Sequence, residues 1–268
     1  MREIDTKIEK TWCPGCANFT IDAVFKTALM ELEKEGLDLS KIVVLSGIGC
    51  HGKISDYLNL NSFYSLHGRA IPVAEGIKLA NKDLIPIVFV GDGDVYGEGL
   101  EHLIFAAKRN TNINVFVHNN RVYGLTTGQF APTSPEKFKG RSTPKGSVEE
   151  PINPIELMLA SKSSFVARAY TGKPEHLKET IKQALHHRGF SFVDILMPCL
   201  VYFDNRDLYE KNVYEMQGQD VADFNSAIEK AFELDYNNGG KIPVGVFYNQ
   251  KKLTFEEKIY ENFRNFKK

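Results

Sequence analysis

The sequence predicts an α/β protein with a doubly wound, mostly parallel sheet. Three observations predict it. Short apolar segments alternate with amphipathic helical ones between residues 18 and 197, and a βαβα order closes into a parallel sheet with helices on both faces. The segment Ile85-Pro86-Ile87-Val88-Phe89-Val90 is apolar at every position, which suits a strand buried on both faces. Turns rich in glycine or asparagine follow three of the strands, at 47–52, 91–97 and 119–124. Ligands in open α/β sheets bind at such carboxyl ends of strands.

Each element has its own warrant. Residues 18–35 read as a helix because Phe19, Val24, Phe25, Ala28, Leu29 and Leu32 share a face, with Gly36 as the C-cap. Residues 42–46 form a short apolar strand, and residues 70–81 a helix with Ala74, Ile77 and Ala80 on its small apolar side. The strand at 85–90 is followed by a helix over 99–109 and a strand over 113–118. Further along, helices are expected at 155–161 and 174–187, and strands at 165–170 and 192–197. Phe63 and Tyr64 are assigned to the core. Residues 120–153 are rich in Gly, Pro, Thr, Ser and Lys. So long a loop in a compact domain points to function or to a partner. After residue 204 the chain turns polar and aromatic-rich, with a helix expected over 221–233. Residues 1–204 are thus read as the main domain, and 205–268 as an extension packed on that domain or on a partner subunit.

Lys and Arg number 33 against 34 Asp and Glu, for a net charge of −1. That excludes a bulk electrostatic binder of nucleic acid. No apolar run approaches the roughly 20 residues of a membrane span, and the N-terminus lacks the apolar core of a signal peptide. The chain reads as cytoplasmic, with no membrane partner.

Four cysteines are present, at 13, 16, 50 and 199, two of them as Cys13-Pro14-Gly15-Cys16. A cytosolic chain does not staple itself with disulfides. A redox pair normally follows a strand, and a zinc site usually repeats the Cys-x-x-Cys knuckle. An iron–sulfur cluster takes four thiolates from anywhere in the fold, and free cysteines also serve as small buried hydrophobes. Composition leaves these four readings open.

The second constellation is Gly91-Asp92-Gly93-Asp94 at one strand end and Asn119-Asn120 at the next. Glycines let a backbone approach a phosphate, and a helix N-terminus favours its charge. An Asp and an Asn carbonyl oxygen are hard ligands for a divalent cation bridging a diphosphate. The competing reading is a pair of ordinary turns.

Gly91-Asp92-Gly93 with Asn119-Asn120 resembles the thiamine-diphosphate signature. The chain from about residue 10 to 205 resembles the β subunit of 2-oxoacid:ferredoxin oxidoreductases. The stretches that carry the likeness are Trp12-Cys13-Pro14-Gly15-Cys16, Gly47-Ile48-Gly49-Cys50, Leu66-His67-Gly68-Arg69-Ala70-Ile71-Pro72-Val73-Ala74, Gly91-Asp92-Gly93-Asp94 and Asn120-Arg121-Val122-Tyr123-Gly124-Leu125-Thr126. The resemblance implies a thiamine-diphosphate-binding fold of the pyrophosphate type. It implies one 4Fe–4S cluster held by Cys13, Cys16, Cys50 and Cys199. It implies Mg²⁺ on Asp92, the Asn120 side chain and the Val122 carbonyl. Ile48, Gly49, Cys50, His51, His67, Gly93, Asp94, Gly124 and Leu125 would line the cofactor, with His67 and Lys53 as catalytic candidates, Lys53 near the incoming substrate. The implied reaction is coenzyme A-dependent oxidative decarboxylation of a 2-oxoacid of the 2-oxoglutarate or pyruvate class, with electrons passed through the cluster to ferredoxin.

No segment supplies the glutamate that thiamine enzymes place opposite the pyrimidine ring. Glu75, Glu98 and Glu101 lie on the diphosphate half. An α subunit is therefore expected to complete the enzyme, with residues 124–153 and 205–268 as candidate contacts. A non-oxidative thiamine-dependent decarboxylase or carboligase subunit would leave the cysteines without a task. A zinc-stabilised binding module would leave the Gly-Asp-Gly constellation idle.

Overall fold

The strands are β1 (Ile42–Ser46), β2 (Asn61–Tyr64), β3 (Ile85–Gly91), β4 (Asn114–Asn119), β5 (Phe165–Tyr170), β6 (Ser191–Leu196), β7 (Val213–Glu215) and β8 (Ile242–Asn249). They form one sheet in the order β2-β1-β3-β4-β6-β5-β8-β7. The structure, a computed structural model, describes residues 4–234 and 240–266. From β2 to β5 all neighbours are parallel, as the alternation of strands and helices requires. β1, β3, β4, β5 and β6 lie within one residue of their expected bounds.

The helices are α1 (Asn18–Lys34), α2 (Ile54–Tyr57), α3 (Ala70–Ala80), α4 (Leu100–Arg109), α5 (Pro154–Ala160), α6 (Pro174–His186), α7 (Arg206–Asn212), α8 (Phe224–Ala231) and α9 (Phe255–Phe266). Two apolar layers enclose the sheet. On one face Phe25 of α1 and Leu177 and Ile181 of α6 pack with Phe89 and Phe116, Phe25 meeting Phe89 edge to face at 4.9 Å. On the other, Ala74, Leu103, Met158 and Ala227 from α3, α4, α5 and α8 cover Val88, Val115 and Phe192. Burial on both faces explains the unbroken apolar runs of β3 and β4.

Two expectations are corrected. Phe63 and Tyr64 are not core: they are 49% and 45% exposed, because β2 is the edge strand, bonded among the described residues to β1 alone and exposed at all four positions. The residues after 204 also hold more than a helix. β8 runs antiparallel beside β5, so the extension adds strands to the sheet. Pro243 and Gly245 in β8 are poor strand formers, which conceals it in the sequence.

The order β2-β1-β3-β4 places the topological switch between β1 and β3. Residues 120–153 carry no helix or strand but are tied internally, by Arg141 N–H to the Gly128 carbonyl at 3.0 Å and Ile152 N–H to the Pro132 carbonyl at 2.9 Å.

Candidate cofactor cleft and cysteine pocket

The four cysteines are brought together from three places in the chain. Cys13-Pro14-Gly15-Cys16 is a turn in which the Cys16 N–H donates to the Cys13 carbonyl at 3.0 Å, with Gly15 at φ 74°. Pro sets φ at the first central position and Gly tolerates a positive φ at the second. Trp12 ties this turn to the next cysteine loop, its Nε1–H donating to the Cys50 carbonyl at 2.7 Å. Cys199 follows β6, and its carbonyl accepts from the Phe203 N–H at 2.9 Å. All four line one pocket of ≈ 410 Å³ with Pro14, Leu200, Val201 and Tyr202.

Burial pushes the Cys50 thiol up to about 11 and raises Cys16 as well, and the neighbouring cysteines add to both shifts. Such thiols ionise together only around a cation. A soft four-sulfur donor set suits zinc or an iron–sulfur cluster. Among the described residues no three His, Cys, Asp or Glu side chains converge on one ion-sized point; the cysteines ring a pocket instead.

The second site is a cleft of ≈ 500 Å³ at the carboxyl ends of β1, β3 and β4. The parallel register sets Ser46 beside Phe89 and Gly91 beside His118, so the three turns lie side by side. Ile48, Gly49, Cys50, His51, His67, Asp92, Gly93, Asp94, Asn120, Val122, Gly124 and Leu125 all line it. Lys53 does not. Its ammonium donates to the Thr11 carbonyl at 3.1 Å. The cleft also takes Asn18, His118, Tyr123 and Met197, which sequence reasoning passed over.

Asp92 is 3% exposed, and its Oδ2 accepts from the Thr133 hydroxyl at 2.6 Å. Burial pushes its carboxyl up to about 7, and the nearby Asp194 charge adds to the rise. A buried carboxyl in that state is completed by a proton or by a cation. Asn120 Oδ1 accepts from the Val122 N–H at 3.1 Å, which leaves that oxygen a second lone pair. The donor set therefore suits a hard divalent ion. The adjacent Asn119 is structural: its Nδ2–H donates to Asp194 at 2.9 Å. Arg121, at φ 61°, donates from Nε to the Thr133 carbonyl at 2.8 Å and so holds the loop that brings Thr133 to Asp92. No local sequence signal marks Arg121 or Thr133 for this task.

Asp94 has a different role from Asp92. Its Oδ1 accepts the Gly68 N–H at 2.7 Å and the Ile48 N–H at 3.3 Å. His67 Nδ1 lies 3.2 Å and His51 Nε2 3.5 Å from the same carboxylate. The side chain joins the loop after β1 to the loop before α3. Gly47 is required by this contact, since a Cβ there would stand 1.7 Å from Asp94 Oδ2. Gly47→Ala is expected to unseat Asp94 and cost about 3 kcal/mol of stability, read as a lower urea midpoint at unchanged slope.

The three glutamates are also accounted for. Glu75 accepts from Thr111 Oγ1 at 2.7 Å and from Arg109 Nη1 at 3.1 Å. Glu98 and Glu101 face solvent.

The two sites share a wall. Asn18, Cys50, Asn120, Gly124 and Met197 line both. A Cβ on Gly124 would lie 3.7 Å from the sulfurs of both Cys50 and Cys199, so the cleft floor is also the pocket roof.

Known proteins resemble this chain in sequence and in fold. Residues 47–195 match the family described as thiamine pyrophosphate enzyme, C-terminal TPP binding domain. Residues 203–262 match the family described as the C-terminal part of the pyruvate ferredoxin oxidoreductase beta chain. The chain is 42% identical over 263 residues to the 2-oxoacid:ferredoxin oxidoreductase subunit beta of Saccharolobus solfataricus, covering 93% of this chain and 85% of that one. It is 37% identical over 255 residues to the 2-oxoglutarate synthase subunit KorB of Methanothermobacter thermautotrophicus, covering 94% and 87%. A solved 2-oxoglutarate:ferredoxin oxidoreductase from Magnetococcus marinus, with 2-oxoglutarate, coenzyme A and succinyl-CoA bound, superposes with a TM-score of 0.93 at 34% identity, over 98% of this chain and 89% of that one. By these likenesses the chain belongs to the β subunits of the 2-oxoacid:ferredoxin oxidoreductases.

Proposed function

We propose that this chain is the cofactor-bearing β subunit of an enzyme that oxidatively decarboxylates a 2-oxoacid of the 2-oxoglutarate or pyruvate class to its coenzyme A thioester and passes the electrons to ferredoxin. The carrying observation is the shared wall, which sets the cleft and the cysteine pocket one residue layer apart. Thiamine diphosphate, when bound, supplies the electron sink for decarboxylation. Asp92, Asn120 and the Val122 carbonyl would hold Mg²⁺ on its diphosphate. Gly93 and Gly124 would let the backbone close on it, while Asp94 keeps Ile48 and the His67 loop in place. Cys13, Cys16, Cys50 and Cys199 would hold a 4Fe–4S cluster, His67 would act beside the cofactor, and Lys53, outside the cleft on the Thr11 carbonyl, would meet the incoming substrate.

The α subunit supplies the pyrimidine side and its glutamate. Glu75, Glu98 and Glu101 are bonded elsewhere or turned to solvent. Residues 124–153 and the extension 205–268 are the proposed contacts with that subunit. A reducing compartment, the cytoplasm, is supported by four unpaired cysteines. No helix among the described residues is long and apolar enough to cross a membrane.

The test is the iron and sulfide content of the anaerobically purified α–β complex. About four irons per β chain are expected, with a visible absorbance that dithionite bleaches. Cys50→Ser should lose most of this iron and reduce ferredoxin at background rate. Retained 2-oxoacid turnover in that variant would favour a non-oxidative lyase. Zinc in place of iron would end the electron-transfer reading.

A further inference from the structure

One buried polar side chain lines both sites and is a proposed ligand in neither. Asn18, the first residue of α1, is 1% exposed. Its Nδ2–H donates to the Cys16 sulfur at 3.4 Å, and its Oδ1 lies 2.7 Å from His118 Nδ1. His118 is 2% exposed on β4, wedged edge-on against Phe89 at 5.5 Å and beside the His51 ring at 5.9 Å. Its Nε2 meets no hydrogen-bond partner among the described residues. A proton on Nε2 would therefore be a buried donor with no acceptor, a costly arrangement. The tautomer with the proton on Nδ1 avoids this, and Nδ1–H then donates to Asn18 Oδ1. That bond fixes which way the amide faces: oxygen to the imidazole, NH₂ to the sulfur.

We propose that Asn18 is a positioning residue that sets the reduction potential of the iron–sulfur cluster by donating an N–H to the Cys16 sulfur, with His118 fixing the orientation of the amide. The inference rests on the reading of the four cysteines as cluster ligands. A hydrogen bond to a ligand sulfur withdraws electron density and favours the more negative, reduced cluster. Asn18 thereby raises the potential of the acceptor that faces the cofactor cleft. The pair also explains why an amide and an imidazole are buried at a sheet end that packing alone would fill with apolar side chains.

The experiment uses the anaerobic α–β complex and two variants: Asn18→Leu, which keeps the volume and removes the donor, and His118→Phe, which keeps the ring and removes the N–H. Iron and sulfide are counted first, and the midpoint potential is then read by an EPR-monitored redox titration. Wild-type iron content with a midpoint shifted to lower potential in Asn18→Leu, and a shift in the same direction in His118→Phe, is the expected result. An unmoved midpoint in an iron-replete Asn18→Leu complex would overturn the inference. Loss of iron from both variants would also overturn it, since the pair would then hold the pocket's shape instead of tuning its contents. A wild-type complex without iron would sink the cluster reading, and this inference with it.

Discussion

Asp92→Asn is expected to abolish thiamine diphosphate binding while making the cofactor-free chain more stable at pH 8. The two effects share one cause. Asp92 sits almost without solvent contact, and burial pushes its carboxyl up to about 7 from the ordinary 3.8. The folded chain therefore binds this proton more tightly than the unfolded one. Stability from this group is complete below pH 3.8, falls as pH rises toward 7 and is level beyond. The ionised carboxyl thus costs roughly 4 kcal/mol at pH 8 and less than half of that at pH 5. Asparagine carries no charge to bury and keeps an oxygen to accept from Thr133. Urea unfolding of the cofactor-free protein should show Asp92→Asn more stable by a few kcal/mol at pH 8, with the gap narrowing by roughly 2–3 kcal/mol at pH 5. Cofactor binding should move the other way. Removing a metal ligand's outer partner costs on the order of 10- to 100-fold in affinity, so removing the carboxylate itself should cost more. Calorimetric titration with thiamine diphosphate and Mg²⁺ reads this directly. A variant that binds normally would remove Asp92 from the metal site. One that is no more stable than wild type at pH 8 would show that Asp92 is not buried at such a cost.

How much of this was legible in the sequence follows physical lines. Strands buried on both faces announce themselves, because Ile85 to Val90 has no polar residue to mislead. Glycine and asparagine at three strand ends announce the cleft, because close backbone approach and hard oxygen ligands need those residue types. β2 and β8 were hidden for opposite reasons. β2 is an exposed edge without an apolar face, and β8 carries Pro243 and Gly245. Phe63 and Tyr64 look like core only where every aromatic is assumed to be covered. Arg121, Thr133 and His118 were illegible because each acts through a partner 12 to 100 positions away, and Asn18, though two positions from Cys16, is oriented by His118, 100 positions away. A periodicity or a local motif holds no record of such a pairing. Asp94 was legible as a cleft residue, but its bonds to Ile48 and Gly68 were not.

Asp194 is the clearest case of a hidden residue with a large effect. It lies in the middle of β6, fully buried, in a stretch that reads as apolar. Arg168, its neighbour in register on β5, donates from Nε to Asp194 Oδ2 at 3.2 Å. The same guanidinium reaches the Pro243 carbonyl of β8 and Asn153 Oδ1 at the cap of α5, both at 3.4 Å, and lies over the Phe247 ring at 5.5 Å. The other carboxyl oxygen accepts from Asn119, next to the proposed ligand Asn120. One ion pair thus joins the sheet, the long loop's end, the C-terminal extension and the cofactor cleft. Burial raises the Asp194 carboxyl even with Arg168 beside it, so the pair offsets a desolvation cost and adds little net stability of its own. Its removal in halves is another matter. Arg168→Met should cost about 3–5 kcal/mol, because it leaves an uncompensated carboxyl in the core. Arg168→Met combined with Asp194→Leu should recover most of that loss, although Asn119 then lacks its acceptor and cofactor affinity should stay low. Urea midpoints of the single and double variants read the first effect, and thiamine diphosphate titrations of the double variant read the second. If the double variant is as unstable as the single one, the cost lies in the packing of Arg168 against Phe247 and β8. If it regains both stability and affinity, Asn119 is free of the site and Asn120 is held by its own turn alone.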